Sequence, residues 1–165
     1  MTLLLKLKHW QIFIILLLAS FMSRFTWVGN EFLNTVLNLI GTLLYMIWYF
    51  AIGLEITERL PKKVELPKTL FIINGFVVIC SFVTLAMFFD GSFESNGLLG
   101  FIWVVYFMYA LFQFFFYPAK ALNSNELEKE AGFGDYFGDF FLMLFWPIGI
   151  WWIQPRLNKI AENID

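Results

Sequence analysis

The chain has 165 residues, of which 60% are hydrophobic and 15% are charged, and its formal net charge is −2. Soluble domains carry about 25% charged residues, and a soluble fold of this size exposes too much surface to hide so many apolar side chains. The composition therefore predicts one integral membrane domain over residues 1–165, and without a concentrated basic patch nucleic acid is not an expected partner.

Four continuous apolar runs follow one another along the chain, and each is close to the ~20 residues that a helix needs to cross a bilayer. Because a helix satisfies its own backbone hydrogen bonds in lipid, the runs predict an all-α integral membrane protein with a four-transmembrane-helix bundle. Three residues separate the first two spans, which predicts an antiparallel hairpin. The predicted spans cover residues 10–28, 32–54, 69–89 and 98–117.

The N-terminal segment allows two interpretations. Lys6 and Lys8 precede the first apolar run, which is also the layout of a signal peptide. The run continues through Trp27, however, and no small-x-small cleavage site follows cleanly. We therefore expect an uncleaved first span, with a cleaved signal as the alternative.

Lysine and arginine residues are distributed unequally between the two sides of the predicted spans. Consider the basic residues from the N-terminus to the segment that follows the fourth span. If the N-terminus is cytoplasmic, all of them except Arg24 lie inside the cell, and Arg24 lies toward the outside. Cytoplasmic loops are enriched in Lys and Arg, so this pattern predicts a multi-pass protein of the inner cell membrane with a cytoplasmic N-terminus. The inside residues are Lys6, Lys8, Arg59, Lys62, Lys63, Lys68, Lys120 and Lys129.

A fifth apolar stretch, residues 137–153, is shorter than the other four and contains Pro147 and Gly149. Pro147 removes a backbone donor, and Gly149 loosens the same turn. If this stretch crossed the membrane, Arg156 and Lys159 would lie outside, against the positive-inside trend. The sequence therefore favours a C-terminal re-entrant or interfacial helix, with a five-span protein as the alternative.

The tail carries several side chains suited to a membrane surface. Trp151 and Trp152 fit the headgroup layer, where a ring has one polar and one apolar side. Pro155 disfavours helix at the residue before it, so we expect the element to end at Gln154. The residues predicted to contact lipid or a partner are Pro147, Gly149, Trp151, Trp152, Gln154, Pro155 and Arg156.

The last third of the chain carries a resemblance to known sequences. Residues 145–158 read FWPIGIWWIQPRLN, and they follow residues 119–124 (AKALNS) and 134–139 (GDYFGD). These segments resemble those of small, uncharacterised multi-span bacterial membrane proteins with a PIGIW-x-x-QPR-like tail. The resemblance implies a bacterial integral membrane protein and carries no known activity.

A polar cluster is predicted near the outer end of the first two spans. Asn34 and Asn38 are four residues apart and share a helix face, and Arg24 lies near the end of the adjacent span. Ionisable residues inside spans are costly and often functional. The structural explanation is nevertheless favoured: Arg24 extends to the outer headgroups while the asparagines bond across helices.

Side chains that carry catalysis or hold a metal are sparse in this sequence. His9 is the single histidine and has no second ligand at metal-binding spacing, and Cys80 has no histidine nearby in the sequence that could activate it. The carboxylates of residues 126–139 do not match a calcium loop and are expected to cap helices. We therefore predict a non-enzyme without a cofactor or a metal site.

The sequence favours a non-enzymatic membrane component that binds a partner protein or organises lipid, with its cytoplasmic loops and tail making the contacts. The expected partners are the lipid bilayer and either a second membrane protein or further copies of this chain. The alternative is a small oligomeric transporter or channel. In that case Arg24, Asn34 and Asn38 form an outer mouth, and Asn74 and Gln113 line an inner one.

Overall fold

The computed structural model describes residues 3–88 and 97–162, and every secondary-structure element in these ranges is a helix. Three of them, α3, α4 and α5, are long and apolar enough to cross a membrane. The all-α prediction is confirmed. The length and apolar composition of these three helices indicate a membrane protein. The helices are α1 (Leu3–Lys6), α2 (His9–Met22), α3 (Glu31–Thr57), α4 (Lys68–Phe88), α5 (Gly97–Leu127), α6 (Phe133–Leu144) and α7 (Trp146–Glu162).

Helix α2 is shorter than the helix expected over residues 10–28. It has 14 residues, which is about 21 Å at 1.5 Å per residue. The chain leaves the helix at Ser23, whose amide still donates to the carbonyl of Ala19 at 2.9 Å. Gly41 of α3 lies directly against this end, where a Cβ would collide with the backbone of Ala19 and Ser23. Helix α2 therefore ends where it packs most closely on α3.

Helices α3 and α4 begin within one residue of the predicted second and third spans, and residue 89 lies outside the described part of the chain. Helix α5 covers the predicted fourth span and then continues through Pro118 to Leu127. Pro118 is buried, and Gly53 of α3 leaves room for its ring. The helix ends where Glu128 adopts a left-handed φ of 52°. Tertiary packing therefore outweighs the helix-breaking tendency of the proline.

The tail forms two helices, not the single element predicted over residues 137–153. The break lies at Phe145, whose carbonyl accepts hydrogen bonds from the amides of Ile148 (3.0 Å) and Gly149 (2.9 Å). Gly149 lies against the carbonyl of Leu142, so α7 packs closely beside α6. Pro147 is the second residue of α7, where a missing N–H breaks no helical hydrogen bond.

The prediction that the last helix ends at Gln154 is wrong. Helix α7 continues through Pro155 to Glu162. Gln154 and Asn158, on either side of the proline, bond to backbone carbonyls near the N-terminus of the chain. These contacts hold the helix together on both sides of Pro155, which sequence alone could not indicate.

An aromatic core joins α3, α4 and α5. Tyr49, Phe71, Phe114 and Tyr117 are buried there, and the rings of Phe71 and Tyr117 stack with centroids 4.1 Å apart. Gly53 lies against Phe71, which allows α3 and α4 to approach closely. The core holds the three long helices together, α6 packs against α5, and α7 packs against α6, α2 and α1.

Candidate functional site

The predicted outer cluster holds the link between α2 and α3. Asn38 donates from Nδ2 to the carbonyl of Ser23 at 2.6 Å. Asn34 accepts from the amide of Trp27 at 2.5 Å and donates to the carbonyl of the same residue at 3.1 Å. Both asparagines therefore satisfy backbone groups of the segment that follows α2. These hydrogen bonds explain why both residues lie on one face of α3.

Arg24 lies beside these asparagines but is used differently. Its side chain is exposed and has no hydrogen bond or ion pair with any residue that the structure describes. Together with Asn34, Asn38 and Glu31 it lines a cavity of about 700 Å³. The structure therefore brings all three predicted residues to one cavity, with the hydrogen bonds of the asparagines directed to the backbone.

Asn74 and Gln113 meet inside the bundle. Asn74 is fully buried on α4 and donates from Nδ2 to Oε1 of Gln113 on α5. The hydroxyl of Tyr106 donates to Oδ1 of Asn74 at 2.9 Å. The two residues expected to line an inner mouth thus bond to each other, as polar side chains do between membrane helices.

An apolar cavity of about 540 Å³ lies between α4 and α5. Phe76 and Cys80 contribute to its wall from α4, and Trp103 and Phe107 from α5. Ser81 also lines it, but its hydroxyl donates to the carbonyl of Val77 at 2.7 Å. The wall therefore offers few polar groups to a solute.

A second polar region, which we call the C-terminal junction, joins α5, α6 and α7. Arg156 of α7 binds Glu126 of α5 through two hydrogen bonds of 2.7 and 2.6 Å, and its third nitrogen donates to Asp139 of α6 at 2.7 Å. The other oxygen of Asp139 accepts from Asn123 at 2.6 Å. Burial opposes the charged form of Arg156, but the hydrogen bonds to Glu126 and Asp139 outweigh it and raise the pKa of Arg156 above its usual value.

The end of α3 is tied to the same junction. Nη1 of Arg59 donates to the carboxylate of Glu55 at 2.5 Å and to the carbonyl of that residue at 2.6 Å. Asn125 of α5 donates to the carbonyl of Arg59 at 2.7 Å. Glu55 is only 4% exposed, so Arg59 supplies the charge that a buried carboxylate requires.

Helix α7 also satisfies backbone groups near the N-terminus. Gln154 donates to the carbonyl of Leu7 at 2.9 Å, and Asn158 donates to the carbonyls of Leu5 (2.5 Å) and Leu7 (3.0 Å). These carbonyls lie where α1 ends and have no helical partner of their own. The ring of Trp151 lies 4.7 Å from that of His9. The tail is therefore fixed to the start of the first long apolar run.

The predicted tail contacts divide into two groups. Gly149, Gln154 and Arg156 face other helices of the chain, as described above. Trp151 and Trp152 are 48% and 60% exposed, and with their apolar neighbours they form a surface that we call the tryptophan face. Pro147 and Pro155 are also exposed. The tryptophan face comprises Phe145, Ile148, Trp151 and Trp152.

Sequence reasoning missed most of the junction. Glu55 lies in the last turn of α3 and Arg59 follows four residues later, a spacing that indicates an ion pair and could have been noticed. No local pattern predicts that Arg156 pairs with Glu126 and Asp139, because these residues are 30 and 17 positions away.

Within residues 3–88 and 97–162, no group of three or more His, Cys, Asp or Glu side chains is placed to hold a metal ion.

Comparison with known proteins gives no relative from which a role could be transferred. No protein-family model, curated protein or solved structure matches this chain.

Proposed function

We propose that this chain is a non-enzymatic, multi-pass protein of the inner cell membrane that organises lipid or binds a partner protein through its cytoplasmic end. The observation that carries the proposal is the tryptophan face. Its four apolar side chains are exposed on the tail, which is fixed beside the N-terminus and the basic loops. An exposed apolar face next to lysines and arginines suits the boundary between acyl chains and anionic headgroups.

In the proposed topology the chain crosses the bilayer four times, with α2, α3, α4 and α5 as the spans. Helix α2 crosses together with the residues that link it to α3. The N-terminus is cytoplasmic, because the basic loops gather at that end of the bundle. The resemblance of the tail to bacterial membrane proteins agrees with a bacterial inner membrane.

Helices α6 and α7 are proposed to form a re-entrant or interfacial hairpin. Helix α6 has 12 residues, about 18 Å, which is too short for a hydrocarbon core of ~30 Å. Arg156 binds Glu126 near the end of α5, and Asn158 binds the backbone of Leu5. These two contacts support a tail that returns to the side of the N-terminus. The final residues, including Asp165, lie outside the described part of the chain.

A small oligomeric transporter or channel has less support. The polar side chains expected to line an inner mouth, Asn74 and Gln113, are bonded to each other. The cavity between α4 and α5 is lined mainly by apolar groups. Before a single copy of this chain could conduct a solute, both the Asn74–Gln113 pair and the apolar cavity wall would have to rearrange.

The proposal is tested by purifying the tagged protein in a mild detergent and identifying the lipid and protein that co-purify. A double variant, Trp151→Ala with Trp152→Ala, removes the rings of the tryptophan face. The matched control, Phe101→Ala with Phe112→Ala, removes two exposed rings from α5 that do not line the cavity between α4 and α5. We expect the wild type and the control to retain the same lipid or stoichiometric protein and the tail variant to lose it.

Two results would contradict the proposal. Equal retention by both double variants would mean that the tryptophan face makes no specific contact. Solute flux through a purified homo-oligomer in liposomes would favour the transporter.

A further inference from the structure

A cavity of about 490 Å³ opens at the C-terminal junction. Three segments that are far apart in the sequence form its wall. They are the segment after α3, the end of α5 and the last turns of α7. Most of the side chains on this wall are charged or polar. The lining residues are Arg59, Pro61, Asn125, Glu126, Glu128, Arg156, Lys159 and Ile160.

Each carboxylate on the wall has a cationic partner, and the partner of Glu126, Arg156, is shared with Asp139. Glu126 is held by two hydrogen bonds from Arg156. Glu128 forms an ion pair with Lys63 at 2.9 Å. Both pairs reduce the repulsion that a bound anion would meet at this wall.

The cationic side chains retain unused donors. The side chain of Lys159 is exposed and has no hydrogen bond or ion pair within residues 3–88 and 97–162. Arg59 binds Glu55 through Nη1 only, and its Nε–H is buried without a hydrogen-bond partner among the described residues. The ammonium of Lys159 is therefore available at the cavity, and the guanidinium of Arg59 adds positive charge to its wall. Both kinds of group bind phosphate oxygens well.

The depth of the cavity fits the headgroup layer. Arg59 follows the predicted end of the second span at residue 54 by five residues, of which the first three continue α3 for about 4.5 Å before the chain turns. The polar layer adds roughly 5–8 Å to each side of the hydrocarbon core. In the proposed four-span topology, the cavity therefore lies where lipid phosphates are found.

We propose that this cavity binds a phosphate oxyanion, carried by a phospholipid headgroup or free in the cytoplasm, through Lys159 and Arg59. The proposal rests on the proposed function for its position in the membrane, but the contacts belong to this cavity and not to the tryptophan face. It assigns a binding site and involves no chemical step.

The test uses the full chain purified in dodecyl maltoside, a detergent without phosphate. Lys159→Gln removes the unpaired ammonium, and Lys62→Gln is the matched control because Lys62 is an exposed lysine outside the cavity wall. Two probes are added separately: phosphatidylglycerol, with bound lipid counted by native mass spectrometry, and inorganic phosphate, with thermal unfolding measured. Gel filtration of each variant checks that it is folded.

We expect Lys159→Gln to bind the probe about tenfold more weakly than the wild type and Lys62→Gln, since a charge-assisted hydrogen bond contributes on this order. Loss of lipid retention in Lys159→Gln identifies a headgroup site. A phosphate-dependent rise in Tm that only Lys159→Gln loses, with no lipid retained by any form, identifies free phosphate.

Equal binding of both probes by all three forms, or no binding by the wild type, would overturn the proposal. Neither result bears on the proposed function, because the tryptophan face is intact in all three proteins. Conversely, the tail variant Trp151→Ala with Trp152→Ala can lose its partner while the cavity still binds phosphate.

Discussion

The two ends of the helix bundle hold their segments with different interactions. At the end that the proposed topology makes the outer one, Asn34 and Asn38 bind backbone groups of the nearby link between α2 and α3. At the other end, Arg156 joins three helices through charged hydrogen bonds, and Asn158 contacts a carbonyl 153 residues away. The link between α2 and α3 is held by neutral hydrogen bonds, whereas the other end combines neutral hydrogen bonds with ion pairs, which are the stronger of the two.

The largest effect is expected from breaking the ion pairs of the junction. Arg156→Ala leaves Glu126 and Asp139 without their cation, and the side chain of Asp139 is only 12% exposed. We expect a loss of about 2–3 kcal/mol in unfolding free energy, below the full value for a wholly buried pair because Arg156 is partly exposed. Unfolding of the detergent-solubilised protein by a denaturing detergent measures this loss.

Arg24→Ala is the matched control for this substitution, since it removes the same side chain from the outer end. The unfolding free energy should change by no more than about 0.5 kcal/mol, because Arg24 binds no described residue. Similar losses in the two variants would mean that the ends are held by equivalent interactions.

A somewhat smaller effect is expected where α6 and α7 pack closely. In Gly149→Ala the added methyl group would collide with the backbone carbonyl of Leu142, which cannot move without shifting α6. We expect a loss of about 2 kcal/mol, which is typical of overpacking, and earlier proteolysis of the tail. Gly138→Ala is the control, because open space surrounds that position in the same hairpin. A tail that is equally resistant to protease in both variants would contradict close packing at Gly149.

The smallest effect is expected at the outer end. Asn38→Ala removes one neutral hydrogen bond to Ser23, and we expect a loss of about 1 kcal/mol in the same unfolding experiment. Thr26→Ala provides the control, since Thr26 lines the same cavity and its side chain makes no hydrogen bond to a described residue. A loss at Asn38 as large as that of Arg156→Ala would remove the proposed difference between the two ends.

The sequence by itself determined the helical class and the long apolar helices. Helices α3 and α4 begin within one residue of their predicted starts because charged or polar residues border each apolar run. A membrane tolerates apolar side chains on every face of a helix, so length and hydropathy alone are informative. The same reasoning placed Arg24, Asn34 and Asn38 in one cluster, since helix periodicity and a short link bring them together.

Only the tertiary structure decided where α2 ends, how the tail folds and which residues form the junction. Helix α2 ends against Gly41, the tail reverses at Phe145, and α7 continues through Pro155 because residues on both sides of it bind the N-terminal segment. Arg156 meets Glu126 only after the chain has reversed direction at Phe145. Local propensity acts over a few residues, whereas these outcomes depend on contacts between segments tens of residues apart, whose energies outweigh the preference of a single proline or glycine.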